Sequence, residues 1–246
     1  MTRPADTSIA MTAARPAVRW RSIDRIAAVG HALLDGRCRL CAGPSAYWAI
    51  CAGCHEDLPW ISAACRRCGL PLSSGADHCA GCLSAPPVFN RSVAVWSYTH
   101  AVAPLIRRFK LYDDWAAGRL LSAMAAAQLR ARRWSCPAPL VAMPLHAQRL
   151  RQRGFNQAEL IARWLGGPLI KRLVKRTHHT PSQRQLNAAT REDNLRGVFA
   201  LQAPPPQAVT LVDDVMTTGA SLNALAQCLR EGGTQHIEVI VLARAI

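Results

Sequence analysis

Eight of the ten cysteines in this 246-residue chain stand in four Cys-x-x-Cys pairs: Cys38/Cys41, Cys51/Cys54, Cys65/Cys68 and Cys79/Cys82. Nine, ten and ten residues separate successive pairs. Each pair can form a knuckle that turns two thiolates toward one point, and two knuckles complete a tetrahedral zinc site. Four pairs therefore predict two structural zinc sites in a double zinc-ribbon module. Four thiolates per ion leave no open position for water, which argues against a catalytic metal. Sequential pairing closes shorter loops than crossed pairing, but spacing alone leaves both open. Large apolar residues are sparse here, so metal has to replace a core. Disulfides would need an oxidising compartment, and a redox function would use one such pair rather than four in series. His55 and His78 adjoin cysteines but are expected to stand aside while eight thiols are available. Cys136 and Cys228 stand alone, and Cys228 is expected to pack.

The second constraint is the stretch Val209-Thr210-Leu211-Val212-Asp213-Asp214-Val215-Met216-Thr217-Thr218-Gly219-Ala220-Ser221. An apolar run delivers two carboxylates, a small hydroxyl-rich loop follows, and an amphipathic helix carries Leu222, Leu225, Ala226 and Leu229 on one face. Strand, acid pair, loop and helix together suit a phosphorylated sugar. The helix N-terminus and the backbone of Val215 to Ser221 take the phosphate. Thr217, Thr218 and Ser221 add hydroxyls, Gly219 allows close approach, and Asp213 and Asp214 accept hydrogen bonds from sugar hydroxyls. A dinucleotide fold would put its glycines first and its acid about 20 residues later, and a nucleotide P-loop would need a lysine. The plainer alternative is an Asp-Asp turn before an ordinary capped helix. The order of parts resembles the signature of type I phosphoribosyltransferases, whose ligand is phosphoribosyl pyrophosphate (PRPP).

The charge is uneven. The chain carries a net charge of +15, and residues 149–196 hold eleven Lys/Arg against three acids. Such a field favours polyanions, a pyrophosphate or a nucleic acid. Composition explains part of the excess, because only Lys110, Lys171 and Lys175 are lysines in an alanine-rich chain. No apolar run reaches the length of a membrane span, and Met1 to Trp20 lacks a leader's apolar stretch. A cytoplasmic protein is the expectation. Arg37, Arg39, Arg66 and Arg67 flank the knuckles. Trp48 and Trp60 either stack on bases or dock the ribbons on the larger domain.

Past an Ala/Pro-rich junction at 84–88, strands alternate with helices. The predicted strands are 92–98, 140–143, 169–174, 198–201, the 209 stretch and 237–243. The predicted helices are 102–109, 116–133 and 155–165. This order implies an α/β domain with a parallel sheet and a ligand site at the strands' carboxyl ends. The expected division is a tail with a short helix over 1–34, ribbons over 35–86 and the sheet domain over 90–246. The segment Pro144 to Gly154 reads as a loop presenting Arg149, Arg151 and Arg153 to a pyrophosphate. The long polar stretch with Arg184 and Arg191 reads as a mobile lid.

Taken together, the chain resembles the ComF family of competence proteins. The resemblance runs from about Cys38 to the C-terminus. It rests on the cysteine pairs, Cys68-Gly69-Leu70-Pro71, Arg153-Gly154-Phe155-Asn156-Gln157, Thr180-Pro181-Ser182-Gln183, Arg191-x-x-Asn194-x-x-Gly197 and the acid-pair signature. Ser221 stands where threonine is more usual, and the hydroxyl survives. The resemblance implies a double zinc ribbon fused to a type I phosphoribosyltransferase-like domain. It also implies a role in natural transformation, handling incoming single-stranded DNA with other competence proteins.

Two activities fit that expectation. One is a PRPP-binding protein in DNA uptake. The other is an active phosphoribosyltransferase: Asp213 and Asp214 hold the ribose, Arg149, Arg151, Arg153 and Arg191 stabilise departing pyrophosphate, and Mg2+ is carried by substrate oxygens. A base-reading hood would have to come from residues 84–115, with Trp96, Tyr98, Phe109 and Tyr112 as candidates, or from the ribbons.

Overall fold

A computed structural model describes residues 36–45, 49–73, 75–99, 101–134, 138–177 and 197–246. The predicted tail at 1–34, Trp48, Cys136 and the predicted lid with Arg184 and Arg191 lie outside the described residues.

The cysteine segment is an internal repeat. Antiparallel bridges Arg37–Pro44 and Ala64–Pro71 close the two leading knuckles at equivalent positions around Cys38/Cys41 and Cys65/Cys68. Equivalent backbone bonds recur inside them: Cys38 N to Gly43 O (2.7 Å) matches Cys65 N to Leu70 O (2.8 Å). The trailing pairs open short helices, α1 (Ala52–Glu56) and α2 (Ala80–Ser84), with Cys51 and Cys79 at the N-caps. After each leading pair the chain turns through a left-handed residue, Ala42 at φ 60° in the first copy and Gly69 at φ 66° in the second.

The larger domain contains β1 (Arg91–Ser97), α3 (Ala103–Leu111), α4 (Trp115–Ala131), β2 (Leu140–Ala142), α5 (Ala147–Arg153) and α6 (Gln157–Leu165). It continues with β3 (Val174–Arg176), β4 (Phe199–Leu201), β5 (Ala208–Met216), α7 (Ala220–Glu231) and β6 (His236–Arg244). The main sheet has the order β1-β6-β5-β2, and every pair in it is parallel. Its central strands are near-continuous apolar runs because both faces are covered. One face carries Leu105, Ile106, Phe109, Leu121, Met124 and Ile161 from α3, α4 and α6. The other carries Leu222, Leu225, Ala226 and Leu229 of α7, the four residues predicted from helical spacing.

Two local expectations need correction. Residues 147–153 form helix α5, not a loop; His146 caps it by accepting from Gln148 N, and Gly154 ends it. A seven-residue run without β-branched residues, capped at both ends, is enough for two turns. The predicted strand 169–174 is broken. Leu169 bridges Leu140 and Arg176 bridges His146, both parallel, but the register slips by one residue between them and Arg172 sits at φ 58°. What remains is β3, which pairs antiparallel with β4 rather than joining the parallel sheet.

The β1 edge is covered by the cysteine module itself. Ile61 N donates to Val95 O (3.0 Å) and Ser97 N donates to Pro59 O (2.9 Å), so residues 59–61 add an antiparallel segment to the sheet. Covering that edge removes a row of unpaired backbone groups. Among the described residues, no helix is long and apolar enough to cross a membrane.

Candidate functional site

The cysteines gather by the sequential pairing into two groups that could each hold a metal ion. Cys38, Cys41, Cys51 and Cys54 form one cluster and Cys65, Cys68, Cys79 and Cys82 the other, each with its sulfurs within 4.8 Å of one another. Cys41 and Cys51 Sγ lie 3.7 Å apart, and Cys68 and Cys79 Sγ 3.6 Å apart. A tetrahedron with Zn–S bonds of about 2.3 Å has edges of about 3.8 Å, so the thiols are spaced for zinc. The electrostatics agree. Burial opposes ionisation of Cys38, but N–H groups of its own knuckle and of Cys51 bring its thiol down to about 6. Cys65 is brought to about 7 in the same way. Hydrogen bonds from neighbouring thiols push Cys54 up, and burial with the same kind of neighbours pushes Cys82 up. A centre that favours one thiolate and resists another calls for a cation. Neither His55 nor His78 belongs to either cluster.

Trp60 docks. Its Nε1 donates to His55 O (2.9 Å), and its ring lies 5.1 Å from Trp96 and 5.0 Å from His55. Of the hood candidates, Trp96 and Phe109 are fully buried, whereas Tyr112 is 77% exposed. Trp115, half exposed and 5.3 Å from the Phe155 ring, is an aromatic the sequence reading passed over.

The acid pair lies near the carboxyl end of β5, with Asp214 two residues before the strand's last residue, Met216. Asp214 is buried, and both its oxygens face Lys110 Nζ, at 3.0 and 2.8 Å. Burial works against the Lys110 ammonium, but the Asp214 and Asp213 charges outweigh it and raise its pKa. Asp213 is half-buried, and burial together with the Asp214 charge pushes it up to about 7. Lys110 was missed. The available signal was its spacing: it follows Ile106 by four residues on a helix whose buried face Ile106 marks.

Beyond the acids, Thr217 and Thr218 are exposed, Gly219 caps α7 at φ 83°, and Ala220 and Ser221 begin the helix half-buried. Val215 and Met216 are the last residues of β5, with Met216 buried. Thr218 Oγ1 accepts from Ala220 N (3.3 Å). A left-handed Gly219 turns the chain from strand into helix and sets the N-terminus of α7 directly after the acid-bearing strand.

Of the three arginines on α5, Arg149 and Arg153 are four residues apart on one face, and Arg151 lies about half a turn away. Burial and the Arg149 charge hold Arg153 below the ordinary arginine range, and Asp214 opposes them. Arg153 Nη1 donates to Gln157 Oε1 (2.6 Å). Arg176 of β3, absent from the sequence reading, is depressed by burial and by Arg149, with Asp213 opposing. Lys110 pairs with Asp214, Arg153 and Arg176 feel the charges of the acid pair, and Arg149 in turn acts on Arg153 and Arg176; Arg149 and Arg151 are both exposed. Cations that depress one another are a ready site for a polyvalent anion.

No family model matches the chain. Among curated proteins, it is 36% identical over 208 residues to Competence protein F of Haemophilus influenzae, covering 80% of this chain and 90% of that protein. The chain belongs to the ComF family. The ComF-family relatives also include DNA utilization protein YhgH of Escherichia coli K12, 34% identical over 224 residues and covering 87% of this chain and 99% of that one. Competence protein ComFC of Streptococcus pneumoniae is 25% identical over 199 residues, covering 79% and 87%. A solved structure, TT1426 of Thermus thermophilus, is similar at 22% identity and a TM-score of 0.29, covering 50% of this chain and 72% of that one.

Proposed function

We propose that this ComF-family protein binds PRPP at the carboxyl ends of β5 and β6 and acts in DNA uptake, where it handles incoming single-stranded DNA. The observation that carries PRPP is the meeting of an acid pair, a helix N-terminal loop and the cations Lys110, Arg153 and Arg176 at one end of the sheet. The loop 217–221 and α7 would take the 5-phosphate, Asp213 the ribose hydroxyls, and Arg149, Arg153 and Arg176 the pyrophosphate. Both Asp214 oxygens lie on Lys110, so Asp213 is the carboxylate suited to Mg2+ arriving with the pyrophosphate. Relatives named for competence and DNA utilization support the biological role. The basic face supports a polyanionic partner.

Isothermal titration of PRPP with Mg2+ tests the ligand. Arg149→Ala and Arg153→Ala should each weaken binding roughly tenfold, as expected for charge-assisted hydrogen bonds, and Arg151→Ala by less than about twofold. Equal losses at all three positions would place the pyrophosphate elsewhere. The second reading, phosphoribosyl transfer to an acceptor, is favoured by the exposed rings of Tyr112 and Trp115 flanking Lys110 and Phe155. Pyrophosphate release from PRPP in the presence of nucleobases or single strands tests it.

A further inference from the structure

Arg244 lies outside the acid pair and the cations around it, yet it touches both the second cysteine cluster and the 217–221 loop. It ends β6, a strand flanked by partners on both sides, and it is 8% exposed. Its Nε donates to Cys68 O (3.1 Å), the carbonyl of a metal-ligating cysteine. Its Nη1 donates to Met216 O (3.3 Å) and also reaches the carbonyls of Thr217 and Ala245. Among the described residues, every hydrogen-bond partner of the guanidinium is thus a backbone carbonyl. We propose that Arg244 ties the Cys65/Cys68/Cys79/Cys82 cluster to the 217–221 loop, so that zinc in that cluster sets the loop's grip on its anion.

The physical chain is short. Zinc fixes the Cys65–Cys68 knuckle, and the left-handed Gly69 and the bond from Gly69 N to Cys65 O (2.9 Å) hold the Cys68 carbonyl outward. A planar guanidinium spans that carbonyl on one side and the loop carbonyls on the other, which a lysine ammonium cannot do. Holding the Met216 and Thr217 carbonyls turns their negative ends away from the loop mouth and leaves N–H groups to face a phosphate. Among the described residues the guanidinium's hydrogen-bond partners are all dipoles, so its charge adds to the field at the loop. In the first cluster the equivalent turn is bound by Arg37, which donates to Ala42 O within the module itself. The coupling therefore belongs to the second cluster.

The inference rests on the loop being a phosphate site, and its test separates the two ideas. The full-length, zinc-loaded protein is compared with Arg244→Met and Arg244→Lys, with folding checked by circular dichroism. Arg244→Met should weaken PRPP–Mg2+ binding about tenfold or more, and Arg244→Lys should recover only part of it. Removing the second cluster with Cys79→Ser and Cys82→Ser should cost about tenfold in the Arg244 protein and less than about twofold in the Arg244→Met background. Equal losses in both backgrounds would overturn the coupling even if Arg244 matters to the loop. A second readout needs no ligand: Arg244→Met should speed release of one zinc equivalent to a colorimetric chelator about tenfold, because binding energies coupled between two sites act in both directions. Unchanged release overturns the proposal. Failure of the native protein to bind PRPP, with zinc release still accelerated, would instead remove the phosphate reading and keep the tie.

Discussion

The cluster of Cys38, Cys41, Cys51 and Cys54 meets the sheet domain through Arg39, which grips both oxygens of Asp114 at 2.5 and 2.6 Å. The cluster of Cys65, Cys68, Cys79 and Cys82 meets it through Arg244, beside the candidate phosphate loop. The two copies share knuckles, helices and thiol spacing, but among the described residues the second presses its turn against β1, while Ala42 in the turn of the first is exposed. A Cβ on Gly69 would stand 3.3 Å from Ser92 Oγ and 3.5 Å from Ala94, whereas Ala42 already carries one. Asp114 in turn caps α4 through Ala117 N (3.0 Å) and pairs with Arg108 of α3. A repeated module has thus been joined at one copy to the helical layer and at the other to the mouth of the sheet. Identical local chemistry serves different ends according to what it touches.

The largest test of that contrast strips each cluster in turn. Structural zinc supplies folding free energy on the order of 10 kcal/mol, so Cys65→Ser with Cys68→Ser should unfold its module and weaken PRPP binding about tenfold. Cys38→Ser with Cys41→Ser should cost comparable stability yet leave PRPP affinity within about threefold. Calorimetry and titration on the same samples read both. Next comes the interior on the first cluster's side. Lys110→Met leaves Asp214 buried without its cation and should destabilise by about 3–5 kcal/mol in urea unfolding. Arg39→Ala should cost about 1.5–3 kcal/mol, the range of charge-assisted hydrogen bonds, and leave zinc release from the second cluster unchanged.

Asp213 probes the loop side through pH. A carboxyl held up to about 7 in the folded protein and near its ordinary value in the unfolded chain binds more protons when folded. Stability should therefore fall as pH rises through about 7. Asp213→Asn should flatten that slope and gain about 1–2 kcal/mol at about pH 8, a figure reduced for the solvent screening of a partly exposed side chain. The smallest effect compares the two turns directly. Ala42→Gly should stabilise by about 0.5–1 kcal/mol, because φ 60° strains an alanine. Gly69→Ala should destabilise, both for its φ and for the Ser92 contact. Equal responses would mean that the copies are docked alike.

Spacing alone made much of this legible. The cysteine pairs specified two clusters, and the apolar periods located α7, α4 and the parallel strands within a residue or two. The acid pair and loop stood out because their chemistry is contiguous in sequence. Lys110, Arg176 and Arg244 did not stand out, because each joins the site only when α3, β3 and β6 come together. In an arginine-rich chain, one more arginine at a strand end carries no local mark. The arginine segment misled for a related reason: loop and short helix differ there only by caps, and the cap is His146, an uncommon one. The break at 169–174 depends on a left-handed Arg172, a backbone state that residue type did not announce.

The most direct test of the central claim is a thermal shift of the zinc-loaded protein with PRPP and Mg2+. At roughly a hundredfold excess over Kd, binding should raise Tm by about 5–10 °C, and Asp213→Asn combined with Asp214→Asn should abolish the shift. No shift in the unaltered protein with PRPP at millimolar concentration would contradict the account. So would an undiminished shift in the double variant.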